Sequence, residues 1–477
     1  MPQAYHIALP EQLRGTVTLP ASKSISARAL IIAALAGNAQ LENLSDCDDT
    51  TVLRRALAER SPEIDIHAAG TAMRFGTAFF AVTPGEHILT GTARMQQRPI
   101  RLLVSALKTL GADISYVGAE GFPPLRICGR QLEGGSVCIP ADVSSQYISA
   151  LLLVAPTMRC GLTLHLEGEV VSTPYINMTL NLMRHFGAKA DWRDEHTLEV
   201  LPAAYNAGQA FHVEPDWSGA SYWYELMALS PDKEACVHLP GLREDSVQGD
   251  SVVRKLFEPL GVKTTFTEEG ITLTKMAPEG ELMTDFTMCP DLAQTLVTTC
   301  AILKRPFRFA GLQSLKIKET DRIVALQNEL AKLGRRVEAN DREMWYDGNE
   351  TAPEAHPTIA TYDDHRMAMA FAPCAFSCKH LEIEHPEVVA KSYPAFWDDL
   401  KAIGLRVQKM TLQFNITLWK YSFTRSSRFS SSPSSLAAYA SGGTTAKARK
   451  CPTFRNRVQT AAADSMRCAR KTVCSLP

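Results

Sequence analysis

Apolar positions recur along this chain in one repeated phrase: a run at helical spacing, a glycine, then a short alternating segment. The phrase stands at Ala106-Leu107-Lys108-Thr109-Leu110-Gly111-Ala112, and again at Leu182 to Ala188, Lys255 to Val262, Leu330 to Arg335 and Leu400 to Leu405. Its glycines, Gly111, Gly187, Gly261, Gly334 and Gly404, are 76, 74, 73 and 70 residues apart. A glycine in that place predicts a left-handed helix end, and Ala112-Asp113-Ile114-Ser115-Tyr116-Val117 alternates as a strand does. A further copy is expected around Val52 to Leu57, but it runs into Ser61-Pro62 without the glycine, so that first unit is shortened. Even spacing predicts a unit built six times over. At roughly 70 residues each unit is larger than a solenoid repeat, which favours an α/β protein of two similar domains with three units apiece.

Each unit also has a helix that opens in small polar residues. Ser22-Lys23-Ser24 opens an apolar helix that stops at Gly37, Ala69-Gly70-Thr71 opens another, and Ser144-Ser145-Gln146 opens Ile148 to Val154. Ser172-Thr173-Pro174-Tyr175 reads as an N-cap followed by a proline in the first turn. Asp216-Trp217-Ser218 and Asp363-Asp364-His365-Arg366 repeat the theme in the second half. Taken singly, each is a plain helix cap; several aimed at one cleft would form a deep anion trap.

The most concentrated chemistry lies in Lys318-Glu319-Thr320-Asp321-Arg322, ahead of the amphipathic run Ile323, Leu326, Leu330, Leu333. Free N–H groups and the positive dipole end of that helix suit an anion, and a carboxylate among the cations suits proton transfer. Bulk composition narrows the rest. The chain of 477 residues is 45% hydrophobic and 21% charged, as an ordinary soluble protein is. Its formal charge of −1 hides an asymmetry: 13 Lys/Arg against Asp464 alone from Arg406 onward, leaving 37 basic and 50 acidic residues before it, or −13. An acidic body argues against nucleic acid as a partner. Twelve cysteines without a Cys-x-x-Cys pair read as reduced thiols, and with neither a signal peptide nor an 18-residue apolar run the expected location is cytoplasmic, away from membranes.

Six motifs in order, Leu19-Pro20-Ala21-Ser22-Lys23-Ser24-Ile25-Ser26-Ala27-Arg28, Gly70-Thr71-Ala72-Met73-Arg74, Arg98-Pro99-Ile100, Ser144-Ser145-Gln146, Lys318 to Arg322 and Asp364-His365-Arg366-Met367-Ala368-Met369, resemble the enolpyruvyl transferase family, and within it the 3-phosphoshikimate 1-carboxyvinyltransferases (EPSP synthases). The resemblance runs from about residue 5 to about residue 407. It implies two domains of three βαβαββ units, an inside-out α/β barrel arrangement, with one domain at 20–213 and the other at 1–19 with 214–407. It implies transfer of the carboxyvinyl group of phosphoenolpyruvate to the 5-hydroxyl of shikimate 3-phosphate, releasing phosphate, with no metal or organic cofactor. By the same resemblance Lys23, Ser24, Arg28, Ser144, Ser145, Gln146, Ser172, Tyr175, Asp291 and Lys318 hold shikimate 3-phosphate. Lys23, Gly70, Arg98, Gln146, Arg322, Arg366 and Lys391 hold phosphoenolpyruvate. Asp291 takes the hydroxyl proton, Glu319 protonates the methylene carbon, and Lys23 and His365 stabilise charge. A monomer is expected, because a cleft between closing domains needs no partner chain.

Three departures accompany the resemblance. Ala68 and Ser314 stand where the family commonly has asparagine, and the first unit is expected to lack a surface hairpin and helix. The third is the Ser/Arg-rich segment 408–477, read as a disordered basic tail dispensable for activity. Two other readings are weighed: an impaired homologue that only binds phosphorylated metabolites, and an enolpyruvyl transferase acting on UDP-N-acetylglucosamine.

Overall fold

The computed structural model describes residues 3–411 apart from Leu9, Glu11, Asn38, Val143, Glu281 and Lys379; the expected tail beyond 411 lies outside the described residues. Among them are five four-stranded sheets and one two-stranded sheet. One unit shows the plan. Strand Glu63–Asp65 leads through helix Gly70–Val82 to the parallel strand Gly85–Thr90, and helix Arg101–Thr109 leads on to the hairpin Asp113–Tyr116 and Leu125–Gly129. The order in the sheet is first strand, second, fourth, third. Alternation dictates which face packs: Leu125, Ile127 and Ile114 are buried while their neighbours Arg126 and Asp113 are exposed.

The same plan recurs with strands lent along the chain. Strand Gln3–Ala8 fills the fourth place beside Leu381–Glu384 and Arg406–Thr411, and Arg14–Thr16 fills the first place of the unit built on Cys236–Pro240. Phe211–His212 returns to pair in parallel with Leu41–Glu42 in the first unit. All five repeat glycines take positive φ, between 75° and 103°. The need is steric at Gly334, where a Cβ would lie 2.6 Å from the carbonyl oxygen of Thr351.

The first unit departs from expectation. It keeps its second helix, Asp48–Glu59, and lacks only the antiparallel hairpin. With no glycine available, Arg60 takes the left-handed place itself at φ 47°. Ser172 is the N-cap of helix Thr173–His185, as expected, but it sits at φ 57° and makes no side-chain cap bond; its N–H donates to the carbonyl of Thr287 at 3.0 Å. A second correction concerns the C-terminal boundary. Gln408 to Thr411 continue the last strand and pair with His6 to Gln3, four residues beyond the expected end.

In each unit the first helix is apolar nearly all round and therefore buried, whereas the second is amphipathic and covers the outside. The buried six are Lys23–Ala36, Gly70–Val82 and Ser145–Val154, then Trp217–Leu229, Ala293–Ile302 and His365–Phe371. The hydrophobic core falls into two clusters, one drawn from Ala21 to Val213 and the other from Ile7 to Leu19 with Trp217 to Leu405. We propose that each cluster is one domain, 20–213 and 1–19 with 214 to the end of that last strand at 411, and call them the first and second lobes.

Candidate active site

The beginnings of all six buried helices open on one cavity of about 410 Å³ lined by both lobes. From the first lobe come Lys23 and Ser24, Gly70 and Thr71, and Ser144, Ser145 and Gln146. From the second come Asp216 and Ser218, Asp291, and His365 with Arg366. Local chemistry sets three of these starts: Ser144, Asp216 and Asp364 cap their helices by accepting from the N–H two residues on. The N-terminal dipoles of six helices thus act on one space before any cation is counted.

The cations form two nests. Around Asp291 stand Arg366 (Nη2 to Oδ2, 2.9 Å), Lys318 (Nζ to Oδ1, 3.3 Å) and Arg322 (Nη1 to Oδ1, 3.5 Å). Around Glu319 stand Lys391 (Nζ to Oε1, 3.0 Å), Arg322 (Nη2 to Oε2, 3.0 Å) and Arg98 of the opposite lobe (Nη1 to Oε1, 3.8 Å). Arg322 opens the helix Arg322–Lys332, which Asp321 caps through the N–H groups of Ile323 and Val324. Its guanidinium is fixed by Asp364, fully buried, at 2.7 and 3.1 Å, so it serves both nests from one rigid place.

These contacts set the protonation states. Burial works to raise the Asp291 carboxyl, but Arg366, Lys318 and Arg322 outweigh it and hold the group well below the carboxylate range. Burial is likewise outweighed at Glu319, by Lys391, Arg322 and Arg98. Burial and the neighbouring cations Lys23 and Arg366 keep His365 neutral, well below its ordinary value. Lys23 is raised despite burial, because Asp49 lies 3.3 Å from its Nζ.

Of the residues singled out in the sequence, Lys23, Ser24, Gly70, Arg98, Ser144, Ser145, Gln146, Ser172, Asp291, Lys318, Glu319, Arg322, His365 and Arg366 line the cavity. Lys391 stands behind Glu319. Arg28 and Tyr175 do not line it. Arg28 is buried and spends its donors on Thr179, Ser149 and the carbonyls of Ser24 and Tyr175. Tyr175 sends its hydroxyl to Asp250 of the second lobe at 3.0 Å. Ser314 lines the cavity, whereas Ala68 is exposed and outside the lining. Met73 and Met367 are core, and Tyr147, also buried, lines the cavity. Sequence reasoning missed Asp49, Asp250 and Arg94, all of which sit in charged or polar stretches that look like solvated surface.

A family model for EPSP synthase (3-phosphoshikimate 1-carboxyvinyltransferase) matches residues 7–59 and 53–400, its two pieces meeting at the helix of the shortened unit. The chain belongs to the EPSP synthase family. A 3-phosphoshikimate 1-carboxyvinyltransferase of Bacteroides fragilis (strain YCH46) is 54% identical over 407 residues, covering 85% of this chain and 98% of the relative. One of Vibrio atlanticus (strain LGP32) is 35% identical over 424 residues, covering 83% and 98%. The solved EPSP synthase of Acinetobacter baumannii superposes with a TM-score of 0.69 at 19% identity, covering 86% of this chain and all of that one, which establishes the shared fold. No described helix is long and apolar enough to cross a membrane.

Proposed function

We propose that this chain, like the relatives that carry that name, is a 3-phosphoshikimate 1-carboxyvinyltransferase: it moves the carboxyvinyl group of phosphoenolpyruvate to the 5-hydroxyl of shikimate 3-phosphate and releases phosphate. The observation that carries this reading is the pair of carboxylates, Asp291 and Glu319, each wrapped in cations and facing one cavity shared by two lobes. Two substrates bearing two phosphates and two carboxylates supply the anions such a site lacks. When they bind, their charge offsets the cations, and the Glu319 carboxyl rises toward a value at which it can hold a proton.

In the addition step the Asp291 carboxylate takes the proton of the 5-hydroxyl as that oxygen attacks the central carbon of phosphoenolpyruvate, while protonated Glu319 gives its proton to the methylene carbon. In the elimination the Glu319 carboxylate takes a proton back from the new methyl group, the carbon–oxygen bond to phosphate breaks, and Asp291 returns its proton to the departing phosphate. Lys23, Ser24, Ser144, Ser145, Ser172 and Lys318 are assigned to shikimate 3-phosphate. Gly70, Arg98, Arg322, Arg366 and Lys391 are assigned to phosphoenolpyruvate, with Gln146 between the two. Arg28 and Tyr175 act on shikimate 3-phosphate from behind the lining, Arg28 by fixing the carbonyls of Ser24 and Tyr175. The enzyme works as a cytoplasmic monomer.

Phosphate release from phosphoenolpyruvate, with and without shikimate 3-phosphate, tests the reading. Release that requires the shikimate ester, and that falls roughly 10²- to 10⁴-fold in Glu319→Gln, is expected of a general acid. Release from phosphoenolpyruvate that depends on UDP-N-acetylglucosamine instead of the shikimate ester, or tight binding of both ligands without turnover in the wild type, would sink it.

A further inference from the structure

The residue proposed as the acid is held from both lobes, and the grip from the first lobe has two parts. The short turn Met95–Gln97 is flanked by Arg94 and Arg98. Arg98 faces the Glu319 carboxylate. Arg94 reaches the backbone of the same residue: its Nε donates to the carbonyl of Glu319 at 3.1 Å, and its Nη2 to the carbonyl of Lys318 at 3.5 Å. Lys318 and Glu319 lie between the turn Gln313–Ile317 and the helix Arg322–Lys332. Among the described residues their carbonyls accept no other hydrogen bond, and Arg94 makes no ion pair. The side chain of Arg94 is exposed, so burial offers no other reason for this pose.

The structure assigns Arg94 a positioning role: it ties approach of the two lobes to the placement of Glu319. Lys391 and Arg322 belong to the same lobe as Glu319 and hold its carboxylate whether the lobes are together or apart. The peptide that carries it has a partner only when the first lobe is in place. Glu319 is thus fixed against the substrate carbon only after the cavity is closed to water, when a misplaced proton donor would otherwise be wasted. The inference rests on the reading of Glu319 given above.

The test compares wild type, Arg94→Ala and Arg94→Lys, each alone and with Glu319→Gln. Arg94→Ala is expected to lower kcat about tenfold, the loss of one or two exposed hydrogen bonds, with KM for shikimate 3-phosphate within about threefold. Arg94→Lys, which can still reach one carbonyl, recovers part of the loss. Combined with Glu319→Gln, Arg94→Ala adds little, since the group it positions is gone. Hydrogen exchange of peptides spanning 313–322, with both substrates present, is expected to quicken in Arg94→Ala and stay unchanged elsewhere. Unchanged kcat, an effect on KM alone, full additivity with Glu319→Gln, or unchanged exchange in that segment would each overturn the role. If the wild type itself releases no phosphate on adding the shikimate ester, the reaction assignment fails, and the exchange measurement still decides whether Arg94 holds the segment.

Discussion

Gly70 shows how little room the cation nests leave. Its backbone is not left-handed; the space is what excludes a side chain, since a Cβ there would lie 2.6 Å from Arg98 Nη1 and 2.7 Å from Arg74 Nη1. Gly70→Ala is therefore expected to push the Arg98 guanidinium aside and raise KM for phosphoenolpyruvate about tenfold, one well-placed charged hydrogen bond's worth, with Tm little changed. Steady-state kinetics with each substrate varied in turn would show it. Asp250 is the converse case, a buried carboxylate whose neighbours are mostly wrong for it. It accepts from Tyr175 and Ser218, but burial first and then Asp291 push its carboxyl up to about 6, with Asp216 adding to them and Arg366 only partly countering. The sign follows: the folded value lies above the unfolded one, so its contribution to stability is fully present below about pH 4 and is lost as pH rises through about 6. Asp250→Asn is thus expected to stabilise the free protein at pH 7.5, on the order of 1–3 kcal/mol, with the gain fading toward pH 4. Thermal unfolding at both pH values checks this, and a gain larger at pH 4 would refute it. Asp291 and Glu319 carry the opposite sign, because their folded values are depressed; the stability they give is present above their unfolded range and lost in acid.

At the level of elements, the helix Arg322–Lys332 binds the site together. Asp321 caps it, Arg322 at its start meets both catalytic carboxylates proposed here, and Glu329 near its end accepts from Tyr362 and the N–H of Ala360. Tyr362 and Asp363 both sit at positive φ, 54° and 55°, directly before the Asp364 cap of the helix that carries His365 and Arg366. The one helix therefore holds both sides of this left-handed turn, Ala360 and Tyr362 through Glu329 and Asp364 through Arg322. Asp321→Ala should cost about 1 kcal/mol of stability through the lost cap. Because Arg322 is the first residue of that helix, a larger loss in kcat/KM than in stability is expected from chemical denaturation and kinetics run side by side. The elements themselves were legible from the sequence where period and punctuation agreed: apolar helices with polar starts, and glycines closing them. Ser172 stands at the N-cap that the sequence indicated, yet its left-handed backbone and the missing side-chain cap bond were not legible, because its N–H partner Thr287 belongs to the other lobe.

For the whole molecule, the two ends of the described chain meet in the second lobe. Strand Arg406–Thr411 pairs along its length with Gln3–Ala8, completing a sheet of the second lobe. Removing residues 412–477 is expected to leave phosphate release and Tm unchanged. Truncation after Leu405 removes the strand, leaves Gln3–Ala8 with one neighbour in place of two, and is expected to lower Tm by several degrees or prevent folding. Differential scanning calorimetry of both truncations separates these outcomes. A shorter chain that lost activity on removing 412–477 alone would give that segment a role.

The repeat, its six copies, the buried helices and the order of the site motifs were all written in the sequence, because hydrophobic period, glycine spacing and clustered charge are local properties of the chain. So was the chemical character of Lys318 to Arg322. What only the tertiary structure decided is which charges meet. Asp49 with Lys23, Asp364 with Arg322, Tyr175 with Asp250 and Arg94 with the backbone of Glu319 join residues between 26 and 225 positions apart. In sequence Asp49, Asp250 and Arg94 look like solvated side chains, and nothing marks them as partners of the site residues. Their partners are set by the way the units stack and the lobes meet, and no period along the chain records that.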